Sequence, residues 1–456
     1  MLNARCFHRQ HSLRTHRATL SPQSLKSQVF FAMHHPITAC RICGHQRFHD
    51  IVDLGQQALT GVFPKTREQP VPVGPLQLIK CDDSTGGCGL VQLRHSHEPE
   101  EMYGENYGYR SGLNRSMVTH LERRVNEAQT LAQLEPGDVV LDIGSNDATT
   151  LRAYGNRGLR LVGIDPSAGK FRHFYPDWID CVPDFFNAAT YRATCGDQRA
   201  KIVTSISMFY DLEDPTDFMR QVHSILADDG IWVFEQSYLP LMVERDAYDT
   251  ICHEHVSYYA LKQIDWMARR VGFEILDVEL NDINGGSFCV TVAKEGSSLT
   301  PNRERVTDLL AKEANDGYSG LVVYEQFRSR IVQHRGNLLR AIRNWQAAGK
   351  TVYGYGASTK GNVVLQYCGL TVADIPMIAE VNEDKFGCFT PGTLIPIASE
   401  AEVRGRHPDA MLVLPWHFRE NILEREGEYL QAGGCLLFPL PTVDFVTRPD
   451  TTKRAA

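Results

Sequence analysis

The stretch Val139-Val-Leu-Asp-Ile-Gly-Ser-Asn-Asp147 combines an apolar run, an acidic residue and a glycine turn. Helix-forming residues follow it, so the run has the pattern of a buried strand that leads into a helix. Ligands of open α/β sheets bind at the carboxyl ends of such strands. The stretch therefore predicts a Rossmann-like domain with a ligand site at this turn.

Short Val, Ile and Leu runs alternate with helix-length segments on both sides of this stretch. The predicted strands are 139–143, 159–164, 201–206, 231–235, 273–280 and 288–293. This alternation predicts a parallel sheet with helices on both faces. Apolar residues then recur at three- and four-residue steps from Leu321 to Trp345, which predicts a long linking helix. Further strand-like runs at 351–355, 377–380, 410–414 and 435–438 predict a second α/β domain.

Four cysteines before the α/β region form two pairs, each of which ends in Cys-Gly. They are Cys40, Cys43, Cys81 and Cys88. Four thiolates suit the tetrahedral coordination of a structural zinc ion, and the loop-rich segment around them needs such a staple. The sequence leaves open that the cysteines carry no ligand, or that His45, His95 or His97 replaces one thiol.

The turn after the first strand differs from a dinucleotide-binding fingerprint. Gly144 is followed by Asn146 and Asp147 where that fingerprint has further glycines. A turn with carboxylates suits the ammonium group of a methionyl tail better than a pyrophosphate. We therefore expect Asp142, Gly144, Asn146 and Asp147 to bind S-adenosylmethionine.

The next two strands end in residues that suit the rest of this cofactor. Asp165 ends the second strand, where a carboxylate can accept both ribose hydroxyls. Asp184 and Phe185 follow the third strand, where they can bind the adenine amino group and cover the ring. Packing in the core is the alternative for Phe185 and its neighbour Phe186.

Several motifs together resemble the sugar C-methyltransferase family that modifies nucleotide-linked keto-deoxyhexoses. They are the cysteine pairs, the turn at 141–147, Cys252-His-Glu-His-Val-Ser-Tyr-Tyr259, Asn284-Gly-Gly-Ser287 and Tyr355-Gly-Ala-Ser-Thr-Lys-Gly-Asn362. The resemblance implies a zinc module, a cofactor-binding Rossmann-like domain and a C-terminal domain that helps to hold the sugar nucleotide. The chain departs from the family at Ala148, where a glycine is usual, and at Cys252, where better-known members carry tyrosine.

The run His253-Glu-His255 follows a predicted strand and is the candidate catalytic segment. If it is extended, alternate residues share a face, so His253 and His255 lie together with Glu254 opposite. A carboxylate beside imidazoles can prepare a base near neutral pH. The resemblance gives the base role to His255, supported by Glu254. Tyr210 lies at the same edge and can donate to an oxyanion. The alternatives are a second metal site and simple packing.

The glycine loop of the predicted C-terminal domain ends a strand and opens a helix, an arrangement that cradles phosphate. The expected substrate-binding residues are Gly356, Ser358, Lys360, Asn362, Glu380 and Lys385. Lys360 would place its charge against a diphosphate.

The predicted parts are a leader at 1–36, a zinc-binding module at 37–100, a methyltransferase domain at 101–298, linking helices at 299–348 and a Rossmann-like domain at 349–450. Residues 1–26 carry basic but no acidic side chains. We interpret the leader as disordered, or the start as too early with Met33 as the true one, and a transit peptide is the alternative.

The composition of the chain indicates which classes of binding partner are to be expected. The 456 residues carry a net charge of −8 and show no basic stripe interleaved with aromatics, which argues against nucleic acid. The apolar runs are too short to cross a membrane, and single cysteines in apolar runs favour the cytoplasm. We expect C-methylation of a nucleotide-linked keto-deoxysugar with S-adenosylmethionine and structural zinc. O- or N-methylation of another metabolite and a non-enzymatic scaffold remain alternatives.

Overall fold

A computed structural model of the chain describes residues 34–97 and 110–447. Most of the predicted leader, residues 1–33, lies outside the described residues. Within them, the chain folds into an N-terminal β module, a central mixed sheet with helices on both faces, and a C-terminal α/β sheet.

The N-terminal module contains five short strands. They are β1 (His34–Pro36), β2 (Phe48–Ala58), β3 (Val73–Cys81), β4 (Val91–Leu93) and β5 (His95–His97). Strands β2, β3 and β4 form an antiparallel sheet, and β1 pairs with β5. A strand from the central domain completes the larger sheet, so the module is joined to that domain through backbone hydrogen bonds.

The central domain alternates strands and helices as the sequence predicts. Its strands are β6 (Val139–Ile143), β7 (Arg160–Ile164), β8 (Ile179–Val182), β9 (Ala200–Ile206), β10 (Leu226–Ser237), β11 (Ser257–Tyr258), β12 (Phe273–Asn281) and β13 (Ser287–Lys294). Its helices are α1 (Arg115–Ala132), α2 (Thr149–Tyr154), α3 (Ala188–Cys195), α4 (Pro215–Ile225), α5 (Leu239–Glu244) and α6 (Leu261–Val271). Seven strands form one sheet in the order β12-β13-β10-β9-β6-β7-β8.

Alternate residues of β6 pack into two separate cores. Val140 contributes to a core with α1 and α2, whereas Val139 and Leu141 contribute to a core with α3, α4 and α6. All five residues of the strand are buried, as a strand covered by helices on both faces requires. The sheet edge formed by the ends of β6, β7, β9 and β10 is thereby left for ligands.

The expectation of an all-parallel central sheet is wrong at one side. Strand β13 runs antiparallel to both β10 and β12. Residues 282–286 between β12 and β13 are too few for a crossover helix, so the two strands form a hairpin.

Two helices lead into the C-terminal domain: α7 (Arg303–Asn315) and α8 (Val322–Ala347). The buried residues of α8 recur at three- and four-residue steps from Tyr324 to Ile342, as the sequence predicts. They share one core with the N-terminal sheet and the C-terminal sheet. Helix α8 therefore packs against both flanking parts of the protein.

The C-terminal sheet has six strands in the order β16-β15-β14-β17-β18-β19. Its strands are β14 (Val352–Tyr355), β15 (Ile378–Glu380), β16 (Ile397–Ser399), β17 (Ala410–Val413), β18 (Cys435–Phe438) and β19 (Asp444–Val446). Its helices are α9 (Thr359–Cys368), α10 (Glu400–Arg404), α11 (Arg419–Arg425) and α12 (Gly427–Gln431). All neighbouring strands are parallel except β19, which confirms a second α/β fold. None of the helices within residues 34–97 and 110–447 has the length and hydropathy of a membrane span.

Candidate active site

The four predicted zinc ligands meet at one point. The ligand atoms of Cys40, Cys43, Cys81 and Cys88 all lie within 4.8 Å of one another. The Cys40 and Cys88 sulfurs are 3.5 Å apart, and the Cys43 and Cys81 sulfurs are 3.6 Å apart. A tetrahedral site with Zn–S bonds of about 2.3 Å requires sulfurs about 3.8 Å apart. The cluster thus fits a structural zinc ion.

Backbone geometry around the first pair matches a zinc knuckle. The N–H of Cys43 hydrogen-bonds the Cys40 sulfur, and the N–H of His45 hydrogen-bonds the Cys43 sulfur. Gly44 and Gly89 have φ values of 71° and 76°, a region that favours glycine. The Cys-Gly ending of each pair therefore has a direct structural reason.

The three histidines that were alternative ligands lie elsewhere. His45 hydrogen-bonds the Thr85 hydroxyl at 3.0 Å. His95 and His97 belong to β5, and the His97 ring packs on His253 with centroids 4.7 Å apart. The four-cysteine arrangement is the one that the structure supports.

Asp142 belongs to β6, just before the turn, and is buried. Its carboxylate accepts a hydrogen bond from the Thr204 hydroxyl of β9. Burial raises the pKa of Asp142 to about 7. A cationic ammonium group close by would favour its charged form, which is consistent with the expected place of the methionyl tail.

Asn146 and Asp147 are held by a segment that precedes α1. The backbone N–H of Ser111 donates to Asn146 Oδ1 at 3.0 Å, and that of Gly112 donates to Asp147 Oδ2 at 3.1 Å. Asp147 is only 1% exposed. These contacts give both side chains a role in fixing the turn, in addition to the cofactor contact that the sequence predicts.

Ala148 begins α2 in a left-handed conformation with φ 60°. This region costs a non-glycine residue about 1 kcal/mol or more. The position is the one where the resembling family usually carries glycine. Alanine at this position therefore keeps the conformation of the turn but adds backbone strain that glycine would not have.

Asp165 follows β7 and organises the neighbouring turn. Its Oδ2 accepts from the N–H of Asn146 at 2.8 Å, and its Oδ1 accepts from both the N–H and the hydroxyl of Ser167. The carboxylate is thereby fixed at the sheet edge beside Gly144. Oδ2 has a second lone pair with which it can accept from a ribose hydroxyl, whereas Ser167 occupies both lone pairs of Oδ1.

We expect Asp165→Ala to weaken the binding of S-adenosylmethionine, measured by calorimetry. Each charge-assisted hydrogen bond lost to a ribose hydroxyl costs roughly 1.5–3 kcal/mol. Asp180→Ala is the matched control, because Asp180 is an exposed carboxylate on the adjacent strand β8. Equal affinities of the two variants would remove Asp165 from the cofactor site.

Asp184 and Phe185 follow β8 on the surface. The Asp184 carboxylate accepts the N–H of Phe185 at 2.7 Å, and the Phe185 side chain is 48% exposed. Phe186 instead packs on Phe218 with ring centroids 5.2 Å apart. Core packing thus accounts for Phe186, whereas Phe185 stays available to cover an adenine ring.

The expectation of an extended catalytic run is wrong. Residues 253 and 254 form a turn, and the strand β11 begins only at Ser257. The alternation rule of strands does not apply to a turn, so His253 and His255 contact different partners. His253 packs on His97 of the N-terminal module, whereas His255 packs on Tyr210.

His255 lies beside a narrow cavity at the ligand edge of the central sheet, which is too small to hold a water molecule. The cavity is lined by Tyr210, Ser237, Leu239, Met242, Thr250, His255, Ser257 and Tyr258. The His255 Nδ1 lies 2.8 Å from the Thr250 carbonyl oxygen, and the Tyr210 ring centroid lies 4.0 Å from that of His255. Burial, and then the charge of Lys360, lower the pKa of His255 to about 3.

His253 and Glu254 face the N-terminal module. His253 is fully buried, its Nε2 hydrogen-bonds the Gly74 carbonyl at 3.2 Å, and burial lowers its pKa to about 4. Glu254 accepts from the Thr60 hydroxyl at 3.4 Å, and burial raises its pKa. Glu254 thus supports the loop through the N-terminal module and not through a hydrogen bond to His255.

The glycine loop of the C-terminal domain is held by its own side chains. Glu380 accepts the Ala357 N–H at 2.8 Å, and Lys385 donates to the Ala357 carbonyl at 2.8 Å. The Ser358 hydroxyl caps α9. Buried Asn362 donates to the Thr60 carbonyl at 2.7 Å. These contacts show a structural use for most of the predicted substrate-binding residues.

Gly356 and Lys360 connect the loop to the rest of the protein. A Cβ at Gly356 would come within 2.8 Å of Pro415, so only glycine fits there. The Lys360 ammonium donates to the Asn284 carbonyl at 2.6 Å and to the Thr250 hydroxyl at 3.2 Å. Lys360 therefore contacts Thr250, which lines the cavity beside His255.

Three residues of the site went unnoticed in the sequence. Thr250 anchors His255, Thr204 binds Asp142, and the Tyr175 hydroxyl bonds Ser145 at 2.8 Å. Thr250 lies just before the catalytic run and is the one that proximity to a motif could have indicated. The other two are brought in by the fold, through contacts distant in sequence.

Known proteins match the chain in three segments. Residues 40–103 match the family described as a zinc binding domain, residues 113–278 match a methyltransferase domain, and residues 282–441 match a C-methyltransferase C-terminal domain. The C-methyltransferase NovU of Streptomyces niveus is 30% identical over 419 residues, which cover 91% of this chain and 98% of that protein.

Two methyltransferases are among the solved structures that align with part of the chain. The CcbJ methyltransferase of Streptomyces caelestis has a TM-score of 0.30 and 15% identity, and covers 39% of this chain and 90% of its own. An S-adenosylmethionine-dependent methyltransferase from Clostridium acetobutylicum ATCC 824 has a TM-score of 0.30 and 11% identity. The alignment covers 39% of this chain and 92% of that methyltransferase.

Proposed function

The chain belongs to the zinc-containing C-methyltransferase family, and on this basis we propose that it methylates a carbon beside the ketone of a nucleotide-linked keto-deoxysugar. The family matches make it an S-adenosylmethionine-dependent enzyme, so the scaffold alternative no longer applies. The sugar acceptor and the enolate route are the proposed part.

The observation that carries the proposal is the tautomer of His255. A carbonyl oxygen can only accept, so the contact with Thr250 requires that Nδ1 carries the hydrogen. The other ring nitrogen, Nε2, then holds the lone pair. A neutral imidazole fixed in this form beside a cavity is suited to act as a general base.

Carbon methylation needs such a base because a C–H bond must first be converted into a nucleophile. In the proposed step, His255 Nε2 takes the proton beside the ketone, and the electron pair forms an enolate. The Tyr210 ring packs on His255, and in this step its hydroxyl would donate to the enolate oxygen. S-adenosylmethionine supplies the electrophilic methyl group when it is bound.

We propose that the sugar nucleotide binds between the central and C-terminal domains. Gly356, Ser358, Asn362, Glu380 and Lys385 shape the C-terminal side of this region. Their main observed role is to hold the glycine loop in place, so their contribution to substrate binding would be indirect through the backbone of that loop.

Product analysis tests this function. The protein is incubated with 13C-methyl S-adenosylmethionine and a panel of thymidine- and uridine-linked 4-keto-deoxysugars, and the product is examined by NMR. We expect the labelled methyl group on a ring carbon next to the carbonyl. A label on oxygen or nitrogen, or no transfer to any member of the panel, would contradict the proposal.

We also propose a cytoplasmic location and the domain limits 37–100, 101–298 and 349–450 joined by helices at 299–348. The eleven cysteines in the described residues are all free of disulfides, which agrees with a reducing compartment.

A further inference from the structure

Lys360 lies where the central and C-terminal domains meet. It belongs to α9 of the C-terminal domain, but its ammonium group donates to the Asn284 carbonyl and the Thr250 hydroxyl, which belong to the central domain. The sequence suggested a diphosphate as its partner. Two of its three N–H donors are bound by the protein, so the central domain fixes the position of the ammonium group, and the third donor is left for a diphosphate.

The same threonine holds the proposed base. The Thr250 hydroxyl accepts from Lys360, and the Thr250 carbonyl accepts from His255 Nδ1 at 2.8 Å. Two atoms of one residue thus connect the lysine and the imidazole. A shift of Lys360 would be transmitted to the ring through this residue.

The charge of Lys360 acts on His255 directly as well. A positive charge in a buried site makes a neighbouring imidazolium unfavourable. The titratable groups around His255 and Lys360 are Tyr210, Asp249, Cys252, Glu254, Tyr258 and His417. Asp249 is buried and hydrogen-bonded to the Trp416 indole at 2.7 Å, and burial raises its pKa. Burial lowers the pKa of His255 most, and the charge of Lys360 is the next cause.

We propose that Lys360 is a positioning residue for the methyl transfer, which fixes Thr250 and keeps His255 in the neutral, Nδ1-protonated form. This inference rests on the proposed function, because it gives His255 the role of base. It makes the C-terminal domain a direct contributor to the state of a catalytic group in the central domain. Correct docking of the two domains is then a condition for an active base.

Titration of His255 by NMR tests the proposal without any sugar. Histidine-labelled wild type, Lys360→Met and Lys360→Arg are compared, and the His255 signal is assigned by its loss in His255→Gln. We expect His255 to stay neutral down to about pH 5 in the wild type and in Lys360→Arg. In Lys360→Met its midpoint should rise by at least about one pH unit toward the ordinary 6.5.

Lys385→Met is the matched control. Lys385 is also a buried lysine bonded to the glycine loop, but its partner is the Ala357 carbonyl. Its replacement should leave the His255 midpoint unchanged. An unchanged midpoint in Lys360→Met would overturn the proposal. If Lys360→Met does not fold, the wild type alone decides: a His255 titration midpoint near pH 6.5 would also overturn the proposal.

Turnover gives the second measurement. For Lys360→Met, the pH below which kcat/KM falls should lie higher than in the wild type, by the same interval of at least about one unit as the His255 midpoint. A raised KM at every pH with an unchanged His255 titration would assign Lys360 to the diphosphate and overturn the proposal. If no sugar nucleotide is methylated at all, the proposed function fails, and the titration still decides the coupling of Lys360 to His255.

Discussion

Replacing His255 with glutamine should lower kcat by about 10²–10⁴-fold, the range that a positioned acid or base contributes. Glutamine is close to histidine in size and can keep a hydrogen bond to the Thr250 carbonyl, but it cannot take a proton. Methyl transfer to the acceptor measures the loss. Calorimetry with S-adenosylmethionine and thermal unfolding should give values close to those of the wild type.

His253→Gln is the control for this variant. His253 is fully buried between β3 and β5, and its contacts are the Gly74 carbonyl and the His97 ring. We expect this change to lower the unfolding temperature and to affect kcat less than His255→Gln. A larger loss of kcat in His253→Gln would reverse the two roles. Loss of bound metal in both variants would contradict the base mechanism.

Loss of zinc should unfold the N-terminal module and abolish activity. Binding of a structural zinc ion contributes on the order of 10–16 kcal/mol in zinc-finger peptides, more than the stability of most domains. The module also supports the catalytic loop, because β4 pairs with β11 and Thr60 contacts Glu254. Removal of the metal therefore reaches the active site through backbone and side-chain contacts.

Cys81→Ser provides the corresponding variant, since Cys81 is fully buried in the cluster. We expect less than one zinc per chain by elemental analysis and a lower unfolding temperature. Cys195→Ser is the control, because Cys195 is a buried cysteine outside the cluster. A wild type that contains no zinc after purification, or that keeps its unfolding temperature in excess chelator, would contradict the zinc assignment.

Local patterns predicted the fold well. Val139–Ile143 and Cys435–Phe438 have the predicted bounds, because buried strands of parallel sheets are continuous apolar runs. Strand β13 was predicted at 288–293, but its antiparallel direction was not, because the direction depends on the short connection at 282–286, which the apolar pattern does not show. The zinc cluster was predictable because two pairs of cysteines close in sequence are a common ligand set of a structural zinc ion.

Side-chain partners within the site were harder to predict. The catalytic run forms a turn because Gly74 and Thr60 of the N-terminal module bind His253 and Glu254. Those contacts join residues far apart in sequence, so they cannot be predicted from local sequence patterns. The same reason applies to Lys360, whose motif suggested phosphate binding and whose partners belong to another domain.

Exchange of the acceptor proton tests the central claim, that His255 forms an enolate before the methyl group is transferred. The sugar nucleotide is incubated in D2O with the enzyme and S-adenosylhomocysteine, which cannot donate a methyl group, and deuterium beside the ketone is followed by NMR. We predict rapid deuterium uptake with the wild type and uptake at the uncatalysed rate with His255→Gln. Equal uptake with both proteins, or methylation of oxygen with no uptake, would contradict the account.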